Sequence, residues 1–173
     1  MKRLLPRALL LTILLAATPI VAGVTVPITG DLQADGKLAQ QRNVPLLMMF
    51  YAEHCYYCTR VEEDFLEPML ISGDYTDKVI IRRVDLENPR RIIDFDGAAV
   101  SVSEFAARYQ VRVTPTLVYV DSGGRPLTEN MVGLTTPDFY GDYIDRRIDT
   151  ALDQLREKTV RAAATELPGK NLD

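Results

Sequence analysis

A buried strand followed at once by a pair of cysteines is the feature that most constrains this chain. Residues 44–51 (VPLLMMFY) form a continuous apolar run, which is typical of a central strand buried on both faces. Cys55 and Cys58 follow, and apolar side chains then recur at a spacing of four between residues 61 and 69, which predicts one face of a helix. We expect Pro68 to kink or end that helix.

The spacing of the two cysteines restricts the chemistry that they can perform. They are the only cysteines of the 173-residue chain, and its single histidine, His54, directly precedes Cys55. A zinc or iron–sulfur site needs about four ligands, which the sequence does not supply. Haem attachment needs a histidine after Cys58, where the chain has Thr59. A purely structural disulfide would close a loop too short to stabilise the fold much, so the spacing favours a redox-active dithiol.

The two cysteines are expected to have different roles. Cys55 is predicted to lie at the start of the helix, where free N–H groups and the positive end of the helix dipole stabilise a thiolate. Cys58 follows three residues later on the same face, close enough to form a disulfide. We therefore expect Cys55 to attack a substrate disulfide and Cys58 to resolve the resulting mixed disulfide.

The remaining segments predict helices and strands of one mixed α/β domain. They are a helix over residues 31–42, a strand over 79–86, a hairpin at 94–100, a helix over 101–109, strands over 115–121 and 129–132, and a long helix from 136. A capping box at Ser101 and Glu104 opens the helix over residues 101–109, and Thr136 is expected to cap the last one. The buried face of the last helix is predicted to carry Ile144, Ile148, Leu152 and Leu155.

Charged residues on either side of the cysteine motif are predicted to be solvated. Glu62, Glu63 and Asp64 form an acidic run on the predicted helix, and Arg82 and Arg83 are adjacent in the second strand. Because such side chains are seldom buried, we expect both groups to face water.

The two ends of the chain are predicted to lie outside the folded domain. Residues 1–22 have three basic residues, an apolar stretch and small residues that permit cleavage after Ala22 or Gly23, which is typical of an export signal. An uncleaved membrane anchor is the alternative, although Pro19, Gly23 and Pro27 would make this segment a poor membrane-spanning helix. We expect a folded domain over residues 23–160, a flexible tail over 161–173, and a periplasmic location.

Net charge excludes some partners. Removal of residues 1–22 takes away three positive charges and no negative one, so the formal charge changes from −4 to −7. A chain this acidic should bind neither nucleic acid nor an anionic membrane surface by electrostatic attraction.

Four segments together resemble the thioredoxin superfamily. They are MFYAEHCYYC, VDLENP, YQVRVTPTLVYVDSGG and MVGLTTPDFYGDYI, in that order. The resemblance covers roughly Leu32 to Leu155 and includes exported thiol–disulfide interchange proteins, among them those associated with sulfur oxidation and the Dsb class. It implies a thioredoxin-like α/β fold with a central mixed β-sheet flanked by helices. It also implies a thiol–disulfide oxidoreductase that needs no cofactor and no metal.

The resemblance assigns roles to individual residues. Cys55 matches the attacking cysteine of the family and Cys58 the resolving one. Pro115 matches a cis-proline that faces the disulfide, and Thr114 matches the residue whose backbone holds a substrate strand.

The neighbours of the cysteines differ from the family pattern. His54 replaces a tryptophan and is a hypothetical tuning residue. Tyr56 and Tyr57 replace Gly-Pro between the cysteines and are expected to form an apolar platform for substrates. Met49 stands where thioredoxins have a buried aspartate that accepts the proton of the second cysteine, so Glu53 or water would have to accept it here.

Together these features predict a periplasmic, monomeric oxidoreductase that reduces or isomerises disulfides in exported proteins. Its partners would be disulfide-bearing exported clients and a membrane-bound or soluble thiol donor. The alternative is a non-catalytic binding module of this fold, such as one that delivers Cu(I) held by the two thiolates. Copper-delivery proteins of this fold usually add a distant histidine, which this chain lacks.

Overall fold

The computed structural model describes residues 23–166, and the side chains as far as residue 161. The predicted export signal at residues 1–22 lies outside the described residues. The strands are β1 (Leu46–Tyr51), β2 (Ile80–Asp85), β3 (Ile92–Ile93), β4 (Ala99–Val100), β5 (Thr116–Val120) and β6 (Met131–Val132). The helices are α1 (Leu32–Arg42), α2 (Tyr56–Val61), α3 (Glu67–Ser72), α4 (Val102–Arg108) and α5 (Tyr140–Glu166).

Strand β1 lies in the middle of a four-stranded mixed sheet with the order β2-β1-β5-β6. It pairs in parallel with β2 and antiparallel with β5, so that Met49 lies between Arg83 and Leu117. Residues 46–50 are all fully buried, which explains why the apolar run is continuous rather than alternating. The predicted mixed sheet is confirmed.

The sheet separates two clusters of buried side chains. Leu47 and Met49 pack on one face with α2 and α5, whereas Leu46, Met48 and Phe50 pack on the other face with α1 and α4. Helices therefore cover both faces of the sheet, and the loop after β1 emerges at one of its ends. No helix within residues 23–166 has both the length and the apolar composition needed to cross a membrane.

The helix after the cysteines does not end at Pro68, which was one of the two outcomes expected of that proline. A π-helical turn over Glu62–Leu66 joins α2 to α3, and the helix continues to Ser72. In this turn the Glu67 N–H donates to the carbonyl of Glu62, five residues earlier. The wider turn precedes the proline, which cannot donate a helical hydrogen bond of its own.

The smaller sequence signals are mostly confirmed. The predicted first helix is α1, and Asp31 caps it by accepting a hydrogen bond from the Ala34 N–H at 2.9 Å. The capping box of Ser101 and Glu104 opens α4. The predicted hairpin is formed by β3 and β4, with Gly97 in the left-handed region at φ 88°.

The start and the end of the last helix differ from the prediction. Thr136 makes no capping bond, because it has φ 46° and is followed by a short 3₁₀ turn over Pro137–Phe139. Helix α5 begins at Tyr140 and extends to Glu166, beyond the predicted limit at residue 160. The rest of the predicted tail, residues 167–173, lies outside the described residues. On the predicted buried face of α5, Ile144, Ile148 and Leu152 are buried and Leu155 is half-buried.

Candidate active site

The two cysteines lie where β1 leads into α2. Cys55 is the N-cap residue of α2, and a disulfide joins its sulfur to Cys58, with the two Cα atoms 5.2 Å apart. The Cys58 N–H lies 3.2 Å from Cys55 Sγ and donates to the Cys55 carbonyl at 3.0 Å. The helix start therefore directs an N–H group at the first sulfur, as the sequence predicted, and this arrangement favours a thiolate when the disulfide is reduced.

The two sulfur-bearing residues differ in accessibility. Cys58 is only 3% exposed, whereas Cys55 is half-buried. A substrate sulfur can approach Cys55 from the surface, while Cys58 is shielded behind it. This asymmetry supports the assignment of Cys55 as the attacking residue.

The loop before β5 lies against Cys55. The Thr114–Pro115 peptide bond is cis, as predicted, and Pro115 is buried. The Thr114 hydroxyl donates to Cys55 Sγ at 3.4 Å. The Pro115 carbonyl accepts from the Gly133 N–H at 2.8 Å, so the loop is fixed to the chain that follows β6. Within residues 23–166, no backbone group pairs with the N–H or the C=O of Thr114.

Three exposed apolar side chains lie within two residues of Cys55 or Thr114 in sequence, and we call them the apolar rim: Tyr56, Tyr57 and Val113. Tyr56 is 65% exposed and Tyr57 is 57% exposed, and their rings meet edge to face with centroids 5.5 Å apart. Val113 is also exposed and directly precedes the Thr114 that contacts Cys55. The two tyrosine rings lie together at the surface, and their role as a platform for substrates stays a prediction. Val113 was not anticipated, because a single valine in the loop before β5 carries no distinguishing pattern.

His54 and Glu53 are both exposed in the loop before Cys55. His54 adopts φ 61°, a left-handed conformation that turns the chain into the helix. The backbone N–H of Glu53 donates to the carboxylate of Glu87 in the loop after β2. Both residues lie in the loop next to Cys55, and the roles suggested for their side chains stay predictions.

A buried ion pair next to the site corrects the prediction that its residues are solvated. Glu62 is only 9% exposed, and its carboxylate forms a salt bridge with the guanidinium of Arg83 on β2. Burial raises the pKa of Glu62 above its ordinary value, and this outweighs the lowering effects of Arg83 and of a hydrogen bond from the Val26 backbone. A spacing of four from Cys58 is the sequence signal that could have placed Glu62 on a buried face.

Arg82 is also partly buried, on the other face of the sheet. Its Nε donates to Asp35 of α1 at 2.7 Å, and the Thr29 hydroxyl donates to the same carboxylate at 2.6 Å. By contrast, Glu63 and Asp64 are exposed, as predicted. Within residues 23–166, no group of three or more histidine, cysteine or acidic side chains is arranged to hold a metal ion.

A strand that delivers an N-capping cysteine to a loop with a cis-proline defines a class of proteins that exchange thiols and disulfides. Comparison with models of protein families supports that class, because the model of the thioredoxin-like domain matches residues 32–147. The chain belongs to this family, and with its Cys55–Cys58 pair it is a thiol–disulfide oxidoreductase. The predicted thioredoxin-like fold and the predicted enzyme class are thereby confirmed.

Three of the solved structures that are similar to the chain are thioredoxins. Oxidised mitochondrial thioredoxin 3 from Saccharomyces cerevisiae is 18% identical, with a TM-score of 0.47, over 69% of this chain and 94% of that one. A mutant thioredoxin from Halobacterium salinarum is 25% identical, with a TM-score of 0.46, over 71% and 89% of the two chains. Fasciola hepatica thioredoxin is 18% identical, with a TM-score of 0.46, over 70% and 99%. Among curated proteins, none matches this sequence.

Proposed function

We propose that this chain is a periplasmic, monomeric thiol–disulfide exchanger that reduces or isomerises disulfides in exported proteins. The observation that carries the proposal is the position of Thr114. Its side chain contacts Cys55 Sγ while its backbone N–H and C=O have no partner within the described residues. A client segment in extended conformation can pair with these backbone groups whatever its sequence.

The reaction follows from the geometry of the two sulfurs. The Cys55 thiolate attacks one sulfur of a client disulfide, so a bond forms between Cys55 and the client, and the other client sulfur leaves as a thiolate. Cys58 then loses its proton and attacks Cys55 Sγ, which forms the Cys55–Cys58 disulfide and releases the second client thiolate. Two electrons have moved to the client, and a thiol donor must restore the dithiol. In isomerisation, a different client thiol attacks the mixed disulfide before Cys58 does.

The apolar rim supports a protein client rather than a small thiol. Two exposed tyrosines follow Cys55 and one exposed valine precedes Thr114, and an unfolded or extended chain can cover the apolar surface that they present. The basic and apolar pattern of residues 1–22 supports export, which would place the protein where disulfides in its clients are stable.

Trapping of mixed disulfides in the exporting cell tests this function. A tagged full-length chain with Cys58→Ser can form a mixed disulfide with a client but cannot resolve it. We expect reductant-sensitive adducts with exported proteins in the periplasmic fraction, and none with Cys55→Ser as the matched control. Adducts that do not depend on Cys55, or a chain that stays in the cytoplasm, would contradict the proposal.

A further inference from the structure

Cys58 and Glu62 are two buried side chains on successive turns of one helix. The Glu62 N–H donates to the Cys58 carbonyl, so the helix keeps its regular geometry between them despite the π-helical turn that follows. Side chains four residues apart in such a helix lie on the same face, with Cβ atoms about 5–6 Å apart. Cys58 is 3% exposed and Glu62 is 9% exposed, so both side chains on this face of the helix are largely closed to water.

The surroundings of the Glu62 carboxylate allow it to take up a proton. Arg83 from β2 forms the salt bridge, Tyr51 from β1 lies beyond Arg83, and Glu67 faces Glu62 from the same helix. Burial raises the pKa of Glu62, which brings it closer to that of a thiol and makes proton transfer between the two groups easier.

Arg83 does not depend on a charged Glu62 for its position. Its Nε also donates to the Val26 carbonyl at 3.0 Å, and its guanidinium carbon lies 5.0 Å from the centroid of the Tyr51 ring. When Glu62 becomes neutral, the buried guanidinium therefore keeps two favourable contacts. The ion pair can lose its negative partner for the duration of a proton transfer.

We propose that Glu62 accepts the proton of the Cys58 thiol during the resolving step, a role that rests on the exchange reaction proposed above. The proton passes from Cys58 Sγ to the Glu62 carboxylate, directly or across one water molecule. The Cys58 thiolate attacks Cys55 Sγ, the bond between Cys55 and the client sulfur breaks, and the client sulfur leaves with the electron pair. Neutral Glu62 then gives its proton to the departing thiolate or to solvent. When the Cys55–Cys58 disulfide is later reduced, Glu62 takes up a proton from solvent and passes it to the Cys58 thiolate.

Met49 and Glu53 are less well placed for this role. Met49 contributes an apolar side chain in the centre of the sheet and cannot accept a proton. Glu53 is exposed, and the contact that fixes its loop is made by its backbone. Glu62 is the carboxyl group that the fold buries one turn from Cys58.

A coloured aromatic disulfide, dithiobis-nitrobenzoate, separates the two steps in the reduced full chain. The first coloured thiolate is released when Cys55 attacks, and the second when Cys58 resolves the mixed disulfide. We expect Glu62→Gln to slow the second release at neutral pH by at least about tenfold and to change its dependence on pH, while the first release changes by less than about twofold. Glu63→Gln, an exposed neighbour on the same helix, is the matched control and should leave both releases unchanged.

A second release in Glu62→Gln that matches the wild-type chain at every pH would overturn this role and leave the exchange reaction intact. A wild-type chain that never gives the second release would instead overturn the proposed function. If Glu62→Gln does not fold, carboxyl ¹³C resonances of the wild-type chain decide the question. The Glu62 signal of the reduced wild type should titrate in two steps, the second as Cys58 ionises, and in one step in Cys58→Ser. A single step in both chains would overturn the inference.

Discussion

The hydroxyl of Thr114 lies 3.4 Å from Cys55 Sγ, although 59 residues separate the two in sequence. This contact joins the loop before β5 to the start of α2, and it connects the group that would hold a client to the sulfur that would attack it. A hydroxyl that donates to sulfur stabilises the thiolate more than the neutral thiol.

Valine has nearly the same size as threonine but no hydroxyl donor. Thr114→Val is therefore expected to raise the pKa of the Cys55 thiol. The rate of iodoacetamide alkylation of Cys55 near pH 6 should fall about threefold to tenfold. Thr135→Val, at an exposed position, serves as the control. An unchanged alkylation rate would show that the Thr114 hydroxyl does not support the thiolate.

The difference in burial between the cysteines predicts the order of their alkylation. In the reduced chain, iodoacetamide should modify Cys55 first, and Cys58 should react at least about tenfold more slowly. Cys58 is buried, and its sulfur does not lie at the helix start, where N–H groups stabilise a thiolate. Peptide mass analysis after short labelling times measures the order. Preferential labelling of Cys58 would reverse the roles assigned to the two residues.

Replacement of the two tyrosines of the apolar rim should slow reactions with protein clients and leave the stability of the fold nearly unchanged. Replacement of both Tyr56 and Tyr57 by serine is expected to change the free energy of unfolding by less than about 0.5 kcal/mol, because both side chains are exposed. The kcat/KM for reduction of a disulfide in an unfolded protein should fall about threefold to tenfold. Phe139→Ser, an exposed residue in the 3₁₀ turn before α5, is the control and should leave kcat/KM unchanged.

Burial of Glu62 predicts a pH dependence of stability. Its pKa is raised by burial above the ordinary 4.5, so between that value and the raised pKa the folded chain binds more protons at this site than the unfolded chain. The contribution of Glu62 to stability therefore decreases as pH rises through this interval. Urea unfolding of the oxidised chain between pH 4 and 7 should show wild type losing stability relative to Glu62→Gln. A difference between the two chains that is constant with pH would contradict the raised pKa.

The central strand and the cysteine motif could be predicted because each depends on local sequence. A strand that is buried on both faces must be apolar at every position, and residues 46–50 follow this rule. The capping box of Ser101 and the cis bond before Pro115 were also predicted correctly, the first from local spacing and the second from resemblance.

The buried charges could not be predicted in the same way, because their partners come from distant segments. In the acidic run only Glu62 turns inward, since each step along a helix rotates the side chain by about 100°. Arg82 and Arg83 are adjacent on β2, and neighbours on a strand point to opposite faces of the sheet. One therefore meets Asp35 of α1 and the other meets Glu62, and only the assembled layers show this.

The π-helical turn over Glu62–Leu66 divides the helix into two lengths whose rotational phase can differ. Val61 and Leu66, five residues apart, are both fully buried, which a regular α-helix would not allow so easily. One residue fewer in this turn would rotate Met69 by about 100° around the helix axis relative to Cys55. The register of this one backbone turn therefore determines which way the disulfide faces relative to the part of the helix that packs on the core through Met69.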